Sequence, residues 1–139
     1  MLLLDNSAWS RIVASALPSD RAEAVAGWIE RRQLATSLPF LLEAGFSART
    51  AADRGAMMRE FDPFPQVEIT ARVEQSALEA QNRLAAIGHH RLPPIDLMIA
   101  ACAHEAGAGI LHYDRDYDLI AERTGLSFES VWLAPAGTL

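Results

Sequence analysis

The chain has 139 residues, half of them hydrophobic, which is enough apolar side chain for one ordinary core. Its formal net charge of −6 gives no footing for broad, sequence-independent binding to nucleic acid. All 12 basic side chains are arginine, and the absence of lysine excludes Schiff-base chemistry, P-loop phosphate binding and receiver-type phosphorylation.

No uninterrupted apolar run reaches the length of about 18 residues that a membrane span needs. The opening Met-Leu-Leu-Leu-Asp is too short and too soon acidic for a signal peptide. The expectation is a soluble, cytoplasmic protein. Cys102 is the only cysteine and lies in an apolar run, so it reads as a small core residue and not as a nucleophile.

Taken in chain order, residues 2–5 form a short apolar run ending in an acid, the pattern of a buried parallel strand. Ser7 is placed to cap a short helix over 8–14. Pro18-Ser19-Asp20 then opens a helix to about Arg32, with Ala22, Val25, Ala26 and Ile29 at helical spacing. Residues 34–37 are a short second strand. A helix follows to about Arg49, with Pro39 in its first turn and an apolar stripe of Leu38, Leu41, Leu42, Gly45 and Phe46. Thr50-Ala51-Ala52-Asp53 resembles a capping box and opens a helix through Glu60, which Pro63 and Pro65 end.

Residues 67–70 are a third strand. The clearest helix covers 71–87, with Val73, Ala77, Ala80, Leu84 and Ile87 in period and Gly88 closing it. A polar loop, His89-His90-Arg91, leads to Pro93-Pro94. The helix of 95–106 is apolar on nearly all sides and reads as buried. Gly107 and Gly109 break it. A fourth strand takes 110–113, a short helix 117–123 closes at Gly125, and a last strand takes 128–133. Strands alternating with helices, without repeat or linker, predict one α/β domain over 1–139, its mostly parallel sheet covered by helices on both faces.

Four acids fit poorly into a purely structural account. Asp5 ends the first strand, and ligands of parallel sheets bind beyond the carboxyl ends of the strands. A turn or helix-capping aspartate is its ordinary role. Asp96 is the only charged residue between Arg91 and His104, in the first turn of the apolar helix. Free N–H groups and the helix dipole stabilise an acid there and are expected to keep it ionised. Asp114 follows the fourth strand within His-Tyr-Asp-Arg-Asp-Tyr-Asp, where Asp116 and Asp118 either add ligands or face water. Glu43 lies at the edge of its helix's apolar stripe, where an exposed helical glutamate is the plain alternative. Drawn together, such carboxylates repel one another unless a cation neutralises them. Mg²⁺ is the natural occupant, with Mn²⁺ as substitute: hard, oxygen-liganded ions suited to phosphoryl transfer.

Asp-Asn-Ser at 5–7, Leu-Leu-Glu-Ala at 41–44, Pro-Pro-Ile-Asp-Leu-Met-Ile-Ala-Ala at 93–101 and the acidic run at 112–118 together resemble the PIN domain. Within it the chain is similar to the VapC toxins of bacterial toxin–antitoxin pairs, over essentially its whole length. The resemblance implies a three-layer α/β fold, a Mg²⁺-dependent endoribonuclease, a homodimer and neutralisation by a cognate VapB-type antitoxin. By position, Asp5, Glu43, Asp96 and Asp114 match the family's acidic quartet, with Asp116 a possible further ligand. Ser7 matches the small hydroxyl residue that orients the first carboxylate. With lysine absent, contacts to the RNA backbone are left to arginines such as Arg11, Arg91 or Arg115. The faces around Trp28, Met57, Met58 and Phe61 are either partner contacts or core.

Three other readings compete. A haloacid-dehalogenase-like phosphatase needs an Asp where Ser7 stands, and a lysine. A deoxyribonuclease finds no added DNA-binding element and an acidic charge balance. A PIN-like module that binds RNA or antitoxin without cutting keeps all four acids and is separated only by assay.

Overall fold

In the computed structural model, which describes residues 1–14, 17–89 and 91–139, five short strands and seven helices alternate along the chain. The first half holds β1 (Leu2–Leu4), α1 (Asn6–Val13), α2 (Ser19–Glu30), β2 (Leu34–Ser37), α3 (Leu38–Phe46), α4 (Ala51–Phe61) and β3 (Gln66–Val67). The second holds α5 (Ala71–Ala86), α6 (Pro94–Ala106), β4 (Gly109–His112), α7 (Asp116–Arg123) and β5 (Ser130–Trp132).

All four strand pairings are parallel, in the order β3-β2-β1-β4-β5. Every residue of β1, β2 and β4 is buried, as expected of strands covered on both faces. From β1 the chain winds outward through β2 to β3. It then crosses back to β4 on the other side of β1 and continues to β5. The direction of winding therefore reverses between β1 and β4, and the crevice at their carboxyl ends is where such sheets bind ligands. Leu2, Leu3 and Leu4 pair with Gly109, Ile110 and Leu111, which brings Asp5 level with the end of β4.

Several expected boundaries moved. Asp5, and not Ser7, is the N-cap of α1: its carboxylate accepts the Ser7 N–H at 2.8 Å, and Ser7 sits in the first turn. The third strand shrinks to two residues at the sheet edge, β4 begins at Gly109 and stops at His112, and β5 is three residues long. Gly107 alone ends α6, in the left-handed region at φ 63°. Gly109 instead begins β4, where a Cβ would meet Leu2 Cδ2 at 2.8 Å, so glycine permits the close approach of the strands.

The largest difference lies in α3. Its buried face is Pro39, Phe40 and Ala44, while Leu38, Leu42 and Phe46 point outward, Phe46 being 91% exposed. Of the apolar stripe expected from the sequence, only Leu41 packs against the core, and Gly45 is half-buried. Phe40 instead packs edge-on against Phe61, at 5.0 Å between ring centroids, in a cluster that includes Trp9 and Phe64. Phe61 is thus core, and Trp28, Met57 and Met58 are half-buried against the core as a whole. Helix α6 is buried on nearly all sides as expected, including Cys102, whose thiol is pushed up to about 11 by burial, which favours the protonated form. No helix is long and apolar enough to cross a membrane among the described residues.

Candidate metal centre

Chain reversal between β1 and β4 gathers acids from four places. Asp96, Asp114 and Asp116 each offer a carboxylate oxygen within 4.8 Å of the others, close enough to share one cation. Asp96 lies one turn into α6, with its N–H on the Pro93 carbonyl at 3.2 Å, and is 7% exposed. Asp114 follows β4, and its Oδ1 accepts the Asp116 N–H at 3.0 Å, a short turn that holds these two acids side by side. Asp116 begins α7.

Asp5 and Glu43 form the next ring. Neither belongs to the tight trio, but both act on it through space: they help raise Asp96, together with Asp114 and Asp116. Burial is the largest cause, and the Asp96 carboxyl is pushed up to about 8. The expectation that the helix dipole keeps this acid ionised therefore fails without a cation; burial and four neighbouring carboxyls outweigh it. Glu43, on the inward side of α3 beside Phe40 and Ala44, is raised by burial and by Asp5. Asp116 is raised by burial and by Asp114. No arginine or histidine forms a salt bridge with any of these five acids among the described residues. The mutual repulsion is uncompensated, and a hard cation fits this donor set.

Asp5 is held from two sides. Ser7 donates both its N–H and its hydroxyl to Oδ2, and the Tyr117 hydroxyl donates to Oδ1 at 2.8 Å. The Ser7 oxygen also accepts the Tyr113 N–H at 2.9 Å, linking the ends of β1 and β4. Tyr117 is fully buried, and burial with the charge of Asp5 raises its phenol well above the ordinary range, so it stays a donor. The helix-capping role of Asp5 and its place at the site thus coexist. Tyr117 escapes sequence reasoning, because one aromatic in an acidic run carries no period that reveals its direction.

A second chain of hydrogen bonds was also missed. The Asp114 N–H donates to His112 Nδ1 at 3.2 Å, which fixes the proton on Nε2. Nε2–H then donates to Ser130 Oγ at 2.7 Å, and Ser130 donates to Asp118 at 2.6 Å. Trp132 Nε1 holds the same Asp118 carboxylate at 3.0 Å. Burial lowers His112 against the pull of Asp118, Asp5 and Asp114, in keeping with a neutral ring. Asp118, left open by the sequence between ligand and solvent, is thus committed to β5 and stands outside the trio. Replacing Ser130 by alanine is expected to strand the buried Nε2–H and to lower stability by about 1–3 kcal/mol. Thermal melting of Ser130→Ala beside Ser130→Thr, which keeps the hydroxyl, checks this.

Among the arginines, Arg11 lies over the Tyr113 ring at 4.1 Å and donates to the Ser7 carbonyl at 2.7 Å, at the same pole as the acids. Arg115 is exposed between Asp114 and Asp116. Arg91 is exposed in the loop before α6, and His90 lies outside the described residues.

Parallel strands in this order, with acids converging where the winding reverses, define a class of acidic metal-site α/β domains. The chain belongs to the PIN-domain family, whose model matches residues 2–123. Within that family it stands with the VapC proteins. It is 37% identical to ribonuclease VapC51 of Mycobacterium tuberculosis over 138 residues, 99% of this chain and 96% of that protein. It is 38% identical to ribonuclease VapC2 of the same species, over 96% of this chain and 94% of that protein. The fold is that of the Rickettsia felis VapBC2 complex bound to promoter DNA, with a TM-score of 0.73 and 14% identity over 94% of this chain and 98% of that one. DNA-bound VapBC from Salmonella typhimurium gives a TM-score of 0.72 at 15% identity, over 96% and 100%.

Proposed function

We propose that this chain, as one PIN domain over residues 1–139, is the toxin of a toxin–antitoxin pair: a Mg²⁺-dependent endoribonuclease restrained by a VapB-type antitoxin. The observation that carries the reading is the trio of Asp96, Asp114 and Asp116 within 4.8 Å of one another, ringed by Asp5 and Glu43, at the switch point of a parallel sheet. The trio offers ligand atoms, and Asp5 and Glu43, expected as ligands with Asp96 and Asp114, complete the acidic set around the cation. Mg²⁺, or Mn²⁺ in its place, supplies activation of water and stabilisation of charge on the phosphate.

The protein's own residues supply the rest. Ser7 and Tyr117 fix the orientation of Asp5, and the His112–Ser130–Asp118 chain fixes the backbone that presents Asp114. Glu43, whose carboxyl is raised by burial and by Asp5, lies beside the trio and is suited to accept the proton of an attacking water. Arg11 and Arg115 flank the acids and suit contacts to the RNA phosphates. The relatives named ribonuclease support RNA as substrate, and the VapBC complexes support an antitoxin partner. The outward row of Leu38, Leu42 and Phe46 offers apolar surface to the antitoxin or to a second copy in a homodimer. A basic antitoxin segment suits the acids, an arginine pairing with two carboxylates.

The test is incubation of purified, antitoxin-free protein with total cellular RNA, with Mg²⁺, with Mn²⁺ and with EDTA, beside Asp96→Asn. Discrete cleavage that needs metal and vanishes in the variant is expected. A folded, metal-binding protein that cuts no RNA overturns the nuclease reading in favour of a non-cleaving binding module.

A further inference from the structure

A cavity of about 620 Å³ that plays no part in metal binding opens on the side of Arg115 and Asp118. Its wall is formed by Arg21, Arg115, Asp118, Trp132 and the turn of Ala134, Pro135 and Ala136. None of its lining residues belongs to the acidic trio, but Arg115 stands between Asp114 and Asp116 in the chain. Trp132 packs edge-on to His112, at 5.0 Å between centroids, and His112 holds the Asp114 backbone.

We propose that this cavity receives one unpaired nucleotide of the RNA strand, adjacent to the phosphate held over the acids; the proposal rests on the ribonuclease reading. Three features favour a nucleotide. Trp132 offers an aromatic surface, and its indole is fixed by the bond from Nε1 to Asp118 at 3.0 Å and by edge contacts with His112 and Tyr113. A ring held this way stacks a base without first losing rotational freedom. Arg115 forms no salt bridge among the described residues, and Arg21 pairs only with the exposed Asp20 at 3.4 Å, a weak contact. Two guanidinium groups are therefore free to meet phosphate on an otherwise acidic protein. Asp118 is an exposed carboxylate on the same wall, an acceptor for a base N–H or a 2′-hydroxyl. Its size lies within the usual range of small-molecule sites, about 300–1,000 Å³.

Binding of mixed-sequence single-stranded RNA hexamers, followed by fluorescence anisotropy in the Asp96→Asn background, tests this. Adding Trp132→Leu is expected to weaken binding at least about fivefold, while Trp132→Phe, which keeps an aromatic face, stays within about twofold. Both lose the Nε1 bond to Asp118, so their contrast isolates stacking, and a thermal melt of each confirms that they are equally folded. Hexamers of abasic residues are expected to bind the Trp132 chain as weakly as ordinary hexamers bind Trp132→Leu. Arg115→Gln is expected to weaken ordinary and abasic hexamers alike. Equal binding by the leucine and tryptophan chains overturns the proposal. So does a leucine variant that loses affinity for purified antitoxin and not for RNA, which assigns the cavity to a protein contact. Failure of the cavity leaves the metal-dependent cleavage of total RNA in place, whereas failure of the nuclease reading removes it.

Discussion

Replacing Asp96 by asparagine is expected to stabilise the metal-free protein while removing its activity. The Asp96 carboxyl is 7% exposed and is pushed from 3.8 up to about 8 by burial and by Asp5, Asp114, Asp116 and Glu43. Its folded value is thus raised above its unfolded one. Between about pH 4 and pH 8 the folded chain holds a proton that the unfolded chain has released, so stability falls as pH rises through that window. Asparagine keeps the shape and removes the charge, so its advantage is absent near pH 4, grows with pH and levels off above about 8. A melting gain of several degrees at pH 8 is expected, at about 4 °C for each kcal/mol in a chain of this size. Added Mn²⁺ is expected to reverse the order, raising the melting point of the Asp96 protein by mass action and leaving the variant little changed. Activity is expected to fall more than about 100-fold, beyond the effect of losing a residue that merely supports a ligand. Thermal melts of both proteins at pH 5 and pH 8, with and without Mn²⁺, decide it; a variant less stable at every pH without metal would show that Asp96 is ordinary structure.

The sequence made the fold legible wherever period and punctuation agreed. The strands at β1 and β2, the long α5 and the buried α6 follow from apolar runs bounded by proline, glycine and capping residues, and the structure keeps them within a residue or two. Two acids were legible for a different reason: Asp5 closes one apolar run and Asp96 interrupts another, where a charge without a partner is costly. Glu43 was singled out beside an apolar stripe that proves to be mostly the outer face of its helix. Leu38, Leu42 and Phe46 of that stripe point outward, and the helix buries Pro39, Phe40 and Ala44, with Phe40 packed edge-on against Phe61. What stayed hidden depends on contacts between distant segments. Tyr117 reaches Asp5 across 112 positions of sequence, and His112 reaches Ser130 across 18. Neither pairing leaves a mark in local composition. Nor does sequence order separate Asp116, which joins the trio, from Asp118, which turns to Trp132.

Removing either support of Asp5 is expected to weaken metal binding by about 10–100-fold, and removing both is expected to add little more. Ser7→Ala deletes the hydroxyl that donates to Oδ2 and leaves the Tyr113 N–H, now 2.9 Å from Ser7 Oγ, without its acceptor. Tyr117→Phe deletes the donor at 2.8 Å from Oδ1, from a side chain that is fully buried. Each change is expected to lower stability by about 1–3 kcal/mol, the usual result of stranding a buried polar group. The two effects on stability have partly separate causes, because only Ser7→Ala strands a backbone N–H. Their effects on the metal share one cause, the orientation of a single carboxylate. Once Asp5 is free to turn, the second deletion finds nothing left to disorder, so the losses in Mn²⁺ affinity are expected to be strongly non-additive. Titration of Mn²⁺ into the two single variants and the double variant, by calorimetry or electron spin resonance, reads this directly. Additive losses would mean that Ser7 and Tyr117 support the centre by separate routes, Ser7 through the β1–β4 junction and Tyr117 through the packing of α7.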